Sequence, residues 1–229
     1  METKKPILRT GVRLAAFTLL TAVSLFGPAG TLRWWNAWLF MAIGVALAGM
    51  LTGLVFRKSP DLVQERTTAA SKAKAWDRVL VPLLAGILPF SSNFLAGLDR
   101  RFGWTTGLGL PHHLVALLAM LAGMVLTFRA MQANRFFSSH VRIQHDRGHT
   151  VVSEGPYRIL RHPGYAGAIL YNLGAPVLLG SGVALSVGAA MAVLVVVRTV
   201  FEDRVLRREL PGYQEYAARV RYRLVPWVW

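Results

Sequence analysis

Gly155-Pro156-Tyr157-Arg158-Ile159-Leu160-Arg161-His162-Pro163-Gly164-Tyr165-Ala166-Gly167 leads straight into residues 163–197, a run of 35 residues with no Asp, Glu, Lys, Arg or His. A run that long is nearly twice the ~20 residues one helix needs to cross the hydrocarbon core, and too short for a soluble domain. Its middle reads Leu179-Gly180-Ser181-Gly182, a tight-turn signal, so the spacing predicts a helical hairpin that returns the chain to the side it left. The two arginines, the histidine and the two tyrosines of the motif then sit at a membrane–water boundary. Such a place can bring a polar reagent to a lipid-like one.

Working outward, residues 14–32, 34–56, 79–98 and 108–128 are also free of Asp, Glu, Lys and Arg, and each is near one bilayer thickness. With the hairpin these make about six spans, an all-α integral membrane protein. The distribution of basic residues tests that count. With the N-terminus inside, residues 1–13, 57–78, 129–162 and 198–229 carry 23 of the 26 Lys and Arg, and Arg33, Arg100 and Arg101 are the 3 left outside. The reading puts both termini and the 155–167 motif on the cytoplasmic side. It divides the chain into four N-terminal spans (1–128) and a C-terminal region with the motif, the hairpin and a cytoplasmic tail (129–229). The first span also has the look of a signal peptide, with Lys4, Lys5 and Arg9 before it and Pro28-Ala29-Gly30 after it; cleavage there would leave the later topology unchanged.

The composition agrees. Of 229 residues, 54% are hydrophobic and 16% charged, which is too apolar for an ordinary soluble domain and too charge-poor for a disordered one. A net charge of +15 suggests nucleic acid, but these cations flank apolar runs instead of gathering on one soluble face, so no nucleic-acid partner is expected. The chain has no cysteine, which removes disulfides, thiol nucleophiles and cysteine-based zinc sites. His140, His145 and His149 lie within ten residues, but Arg142 and Arg147 interleave them and oppose a cation, so no metal is expected. His112-His113 reads as an interfacial pair at a span end. No phosphate-binding glycine loop or nucleophile elbow is present.

Pro163 fixes its own backbone and restricts His162, so a helix can begin there with Arg161 and His162 just before its anion-favouring N-terminus. Arg198 is the first charge after the long run, and Glu202 lies one helical turn later, at ion-pair spacing. A short hairpin returns both toward the motif. Tyr213 and Tyr216, three apart, suggest a short helix packed beneath the site or on the membrane. Gly164 and Ala168, and Gly182, Ser186 and Ala190, recur at the four-residue spacing that lets helices approach closely in lipid.

Gly-Pro-Tyr, Arg-His-Pro-Gly-Tyr-Ala-Gly, Arg198 with Glu202, and Gly212-Tyr213-Gln214-Glu215-Tyr216 occur in order over residues 135–229. In this the chain resembles the isoprenylcysteine carboxyl methyltransferase family, membrane enzymes that use S-adenosylmethionine. Pro60-Asp61-Leu62-Val63-Gln64-Glu65-Arg66 is similar to a stretch common in bacterial members. The resemblance implies a cytoplasmic cofactor region in which Gln144, His149, Thr150, Val151, Val152, Tyr157, His162, Pro163, Gly164, Tyr165 and Glu202 contact S-adenosylmethionine. It implies that Arg198 holds the carboxylate of the lipid substrate, making Arg198 and Glu202 the catalytic pair. The loop between Gln144 and His149 is shorter than in eukaryotic members, and Val200 and Phe201 stand where those have acids. The expected protein is an inner-membrane methyltransferase of a bacterium, acting on a lipid-like or prenylated acid among membrane lipids. A phospholipid or amine N-methyltransferase has a similar motif and would need His162 or His149 as a base. A non-catalytic membrane protein of the same fold is the other alternative.

Overall fold

Proline, glycine and charge divide this chain into helices. The computed structural model describes residues 4–58 and 73–229. They form α1 (Lys4–Ala29), α2 (Trp35–Lys58), α3 (Asp77–Phe102), α4 (Leu110–Ala133), α5 (Pro163–Leu179), α6 (Gly182–Glu209) and α7 (Tyr213–Arg219). The extended pairing among the described residues is a single bridge, Leu160 to Tyr222. The stretch 60–66 lies outside the described residues.

Among the described residues four helical segments are long and apolar enough to cross a bilayer: Gly11–Ala29 of α1, α3, α4 and α6. The apolar part of α2, Trp35–Met50, is shorter. α5 has 17 residues, about 26 Å at 1.5 Å per residue, just under the hydrocarbon thickness. The hairpin has a short arm and a long one, because the turn at Gly180 ends α5 after 17 residues while α6 continues past the charge-free run to Glu209, 28 residues in all.

The hairpin turn is built from specific bonds. Gly180 takes φ 81°, a left-handed conformation that ends α5. Ser181 caps α6 by accepting from the Ala184 N–H at 3.0 Å, and it donates to Asp99 of α3. Asp99 also accepts from the Thr105 N–H (2.7 Å) and hydroxyl (2.6 Å), and that hydroxyl accepts from the Gly182 N–H (2.8 Å). A buried carboxylate therefore sits beside the positive end of α6. Nearby, Asn36 of α2 donates to the Leu178 carbonyl at 2.8 Å, fastening the N-terminal helices to the same turn.

α4 and α5 approach each other backbone to backbone. A Cβ on Gly123 would lie 2.5 Å from the Gly167 carbonyl oxygen, and one on Gly167 would lie 2.5 Å from that of Gly123. Gly188 of α6 meets the Asn172 carbonyl of α5 at the same kind of distance, 2.6 Å. Backbone-on-backbone contact is how helices associate in lipid, where burial supplies no force between them. The stripe expected on Gly182, Ser186 and Ala190 is not the contact; Gly188 makes it. Gly164 instead lies under the Phe137 ring.

At the other end of the bundle from the turn, Ala130, Tyr157, Leu210, Tyr213, Tyr216, Ala217 and Val220 form a separate buried cluster. It joins the end of α4, the loop before α5, and α7, and forms the floor of the site described next.

Candidate functional site

Residues 134–162 leave α4 without regular structure beyond two short 3-10 turns, His145–Arg147 and Gly155–Arg158. An irregular segment must still satisfy its backbone. The tail does this for the motif: the Arg161 N–H donates to the Tyr222 carbonyl (2.9 Å) and the His162 N–H to that of Arg223 (3.0 Å). α5 then begins at Pro163, as its sequence requires.

Arg161 and His162 do precede a helix N-terminus, but the anion they meet is internal. Asp203 of α6 is 1% exposed, and the Arg161 guanidinium is the cation buried with it, its Nη2 3.4 Å from Oδ2. Arg161 Nε lies 3.0 Å from Oδ1 without hydrogen-bond geometry and has no other partner among the described residues. Arg207 and Arg223 each place Nε 3.1 Å from Oδ2, the Tyr213 hydroxyl donates to Oδ1 at 3.0 Å, and His162 Nε2 lies 3.5 Å from it. One carboxylate thus ties together the motif, α6, α7 and the tail.

Next to this hub a cavity of about 830 Å³ opens at the ends of α5 and α6. Its wall includes Gln144, His149, Thr150, Val151, Val152, Tyr157, His162, Gly164, Tyr165 and Glu202. Four separate stretches of sequence are therefore brought to one space. Pro163 is fully buried behind them at the start of α5 and does not line the cavity. Phe136 and Phe137 add aromatic surface, and Arg142 adds a cation. Gln144 is held from behind: its side-chain NH₂ donates to the Phe136 carbonyl at 2.7 Å.

Arg198 and Glu202 part company. Glu202 accepts from the Tyr165 hydroxyl. Arg198 turns to Asp77 at the start of α3, with Nε 2.8 Å from Oδ1 and Nη2 3.3 Å from Oδ2, and it donates from Nη2 to the Ser139 carbonyl at 2.7 Å. The expected pair one turn apart is replaced because Asp77, fully buried, supplies a two-oxygen acceptor that matches the guanidinium fork. Asp77 also accepts from the Val141 N–H at 2.7 Å. The Arg198 guanidinium lies 5.1 Å from the centre of the Tyr165 ring, and that ring stacks on His162 at 5.7 Å and 5°. Arg198 is thus adjacent to the cavity wall without lining it.

Sequence reading missed Asp77 and Asp203. Asp77 is 121 residues from its partner, and nothing local marks it. Asp203 carried one signal: an acid following Glu202 on a helix that ends among arginines.

Burial sets the protonation of the loop. The His149 imidazole is pushed down to about 4 by burial, with nearby Arg142, His145 and Arg147 adding to the effect. It is neutral at pH 7, and its Nδ1 accepts from the Gln144 N–H at 3.4 Å. Burial also pushes the Tyr157 phenol up, so it keeps its proton. For His149 the native value lies below the ordinary ~6.5, so the native state binds fewer protons than the unfolded one between these limits. Its contribution to stability is complete above about pH 6.5 and is lost as pH falls toward 4. We expect a melting-temperature drop between pH 7 and pH 5 that is smaller in His149→Gln, by an amount worth about 1 kcal/mol after solvent screening. Equal drops in both proteins would contradict this role.

Comparison with known proteins adds context to this geometry. A family model described as the isoprenylcysteine carboxyl methyltransferase family matches residues 114–208. Protein-S-isoprenylcysteine O-methyltransferase B of Arabidopsis thaliana is 29% identical over 148 residues, 60% of this chain and 68% of its own length. Protein-S-isoprenylcysteine O-methyltransferase A of the same plant is 29% identical over 178 residues, 74% of this chain and 81% of its own. A probable protein-S-isoprenylcysteine O-methyltransferase of Oryza sativa subsp. indica is 33% identical over 114 residues, 46% of this chain and 57% of its own. The solved structure of a eukaryotic intramembrane Ras methyltransferase, isoprenylcysteine carboxyl methyltransferase, superposes with a TM-score of 0.57 over 94% of this chain and 75% of that one. At 18% identity that likeness is one of fold.

Proposed function

We propose that this chain, which belongs to the isoprenylcysteine carboxyl methyltransferase family, is a membrane methyltransferase that esterifies the carboxylate of a lipid-like acid at the cavity beside Tyr165 and Glu202. The observation that carries the reading is the convergence of residues 144, 149–152, 157, 161, 162, 164, 165 and 202 on that one space.

The cavity suits S-adenosylmethionine by its chemistry. The cofactor presents a cationic sulfonium, an adenine ring, hydroxyls and an amino-acid end. The wall offers the acid Glu202, aromatic faces on Phe136, Phe137 and Tyr165, and polar groups on Gln144 and His149. When bound, the cofactor supplies a methyl group attached to sulfonium.

The chain's own residues do the rest by placement. Tyr165 keeps Glu202 from swinging away, and the His162 ring supports Tyr165. A carboxylate acceptor is ionised at neutral pH, so the reaction requires no general base, in keeping with the neutral His149. Arg198 Nε and Nη2 are committed to Asp77 and Ser139, and Nη1 is the edge without a partner among the described residues. We assign that edge to the acceptor's carboxylate. Holding the acceptor in line in a water-poor cavity then supplies the rate. Arg198→Lys loses the fork, and we expect at least a tenfold rise in KM for the acceptor with little change in KM for the donor, about 1.4 kcal/mol.

The reading includes six membrane crossings, counting α2 and the short α5, and a division at residue 128 into four spans and a C-terminal catalytic region. It puts both termini and the cavity on the cytoplasmic side of a bacterial inner membrane. The charge asymmetry supports this orientation.

The test is methyl transfer from labelled S-adenosylmethionine by the purified protein, with an S-prenylated cysteine acid and an aminophospholipid supplied in parallel. We expect base-labile label, a methyl ester, on the acid alone, and at least a hundredfold loss of transfer in Glu202→Gln. Base-stable label on the amine would make this an N-methyltransferase. No transfer, together with no cofactor-induced thermal shift, would leave a non-catalytic protein of the same fold.

A further inference from the structure

A second cavity, of about 1080 Å³, lies deeper in the bundle, between α1, α2, α3, α5 and α6. Tyr171 on its wall is six residues along α5 from Tyr165, and Met191 is seven residues before Arg198 on α6. At 1.5 Å per residue both are about 10 Å farther toward the hairpin turn than the site above. The lining is mostly hydrocarbon: Leu14, Phe17, Phe40, Val45, Leu47 and Phe90 among others.

Three polar side chains break that surface. Asn93 is 7% exposed, yet its amide makes no hydrogen bond among the described residues, and neither do the side chains of Tyr171 and Asn172. The other polar groups of the wall are spoken for: Thr18 and Thr21 donate to carbonyls of their own helix at 2.9 Å, and Ser92 reaches the Ala184 carbonyl at 3.5 Å. An unpaired amide at this depth is costly, because hydrocarbon cannot hydrogen-bond to it. The helix carrying Asn93 is shaped at this point by a π turn, Leu83–Ile87, just before Pro89. Pro89 would clash with the carbonyl four residues back in a straight helix. The widened turn avoids that clash and rotates everything after it by about 100°, the arc of one residue. That rotation sets which face Pro89, Phe90, Ser92 and Asn93 present to the cavity.

We propose that this chamber is a binding site, separate from the methyl-transfer cavity, for a neutral single-chain lipid bearing one hydroxyl or carbonyl group. The chain fills the apolar walls, and the polar group bonds to Asn93 and Tyr171. Neutrality follows from the wall, which among the described residues has no Lys, Arg, His, Asp or Glu to receive a charged headgroup. The same absence excludes the ionised end of the acid acceptor.

The experiment uses the full-length protein in detergent with a photoreactive diazirine-bearing C16 alcohol, followed by peptide mapping. Labelling is expected on α1, α2 and α3 at the chamber wall. Hexadecanol should compete at least tenfold better than hexadecane. Asn93→Leu should cut labelling at least fivefold, and Gly44→Leu, which fills the space beside the Tyr171 hydroxyl, should do the same. The wild-type competition stands even where a variant does not fold. Equal competition by hexadecane, or labelling unchanged in both folded variants, overturns the proposal. Displacement of the probe by a prenylated cysteine acid also overturns it, since the chamber would then hold the acceptor's tail. None of these readouts depends on methyl transfer.

Discussion

Asp203→Ala is expected to leave little folded protein. The substitution strips the shared acceptor from Arg161, Arg207, Arg223 and Tyr213 in one step, and Arg161 is left buried with no counter-charge. Removing one partner of a buried ion pair costs about 3–5 kcal/mol, because the remaining charge stays desolvated. That is a large share of the 5–15 kcal/mol that holds a typical protein folded. The Arg207 side chain is 40% exposed, so Arg207→Ala should cost under about 1 kcal/mol and serves as the control. Asp203→Asn keeps the shape but not the charge and should resemble the alanine variant. The measurement is thermal melting in detergent. An Asp203→Ala protein melting within 2 °C of wild type, on the order of a few tenths of a kcal/mol, would refute the hub.

Gly123→Val should be as damaging by a different route. Its Cβ would sit 2.5 Å from the Gly167 carbonyl oxygen; the oxygen is main chain and the Cβ is fixed by its own main chain, so no rotamer change can separate them. α4 and α5 would have to separate. That displaces Tyr165 on α5 and loosens Asn134 at the end of α4, whose amide donates to the Tyr157 hydroxyl at 3.3 Å. We expect a loss of at least about 3 kcal/mol, at the upper end for overpacking because the contact is main chain on both sides. Gly49→Val is the matched control, since a Cβ there meets nothing within 4 Å. Folded yield by size-exclusion chromatography distinguishes the two, and equal yields would contradict the close-contact reading.

Local chemistry made much of this legible from sequence. The 35-residue run with Gly180 and Ser181 at its centre predicts the α5–α6 hairpin, and the turn falls there. His149 to Val152 are recognisable only through resemblance, and they line the cavity. Tyr213 and Tyr216 predict a short helix under the site; Tyr216 donates to the Tyr157 carbonyl at 2.8 Å from beneath. What stayed hidden are pairings between distant residues. Spacing on one helix favours Arg198 with Glu202, but an exposed pair of that kind is worth only a few tenths of a kcal/mol. A buried two-oxygen acceptor arriving on α3 outweighs it. The resemblance marks Tyr165 as a cofactor contact, but its bond to Glu202 and its stacking on His162 join residues that no local spacing pairs. The small-residue stripe had the right logic and the wrong positions, since α4 offers Gly123 and nothing in the hairpin alone reveals that.

The pairing of Arg161 and His162 with Tyr222 and Arg223 has a consequence in time. The motif leaves the ribosome 61 residues before the segment that completes its backbone bonds. At 5–20 residues per second that interval is about 3–12 s. α5 and α6 are made within that interval, so the hairpin is complete before Tyr222 emerges, and Arg161 can face Asp203 with the wall behind it still missing. Assembly of the site is therefore a late, post-insertion event, and the tail acts as the clasp whose arrival switches an inserted bundle into a competent one.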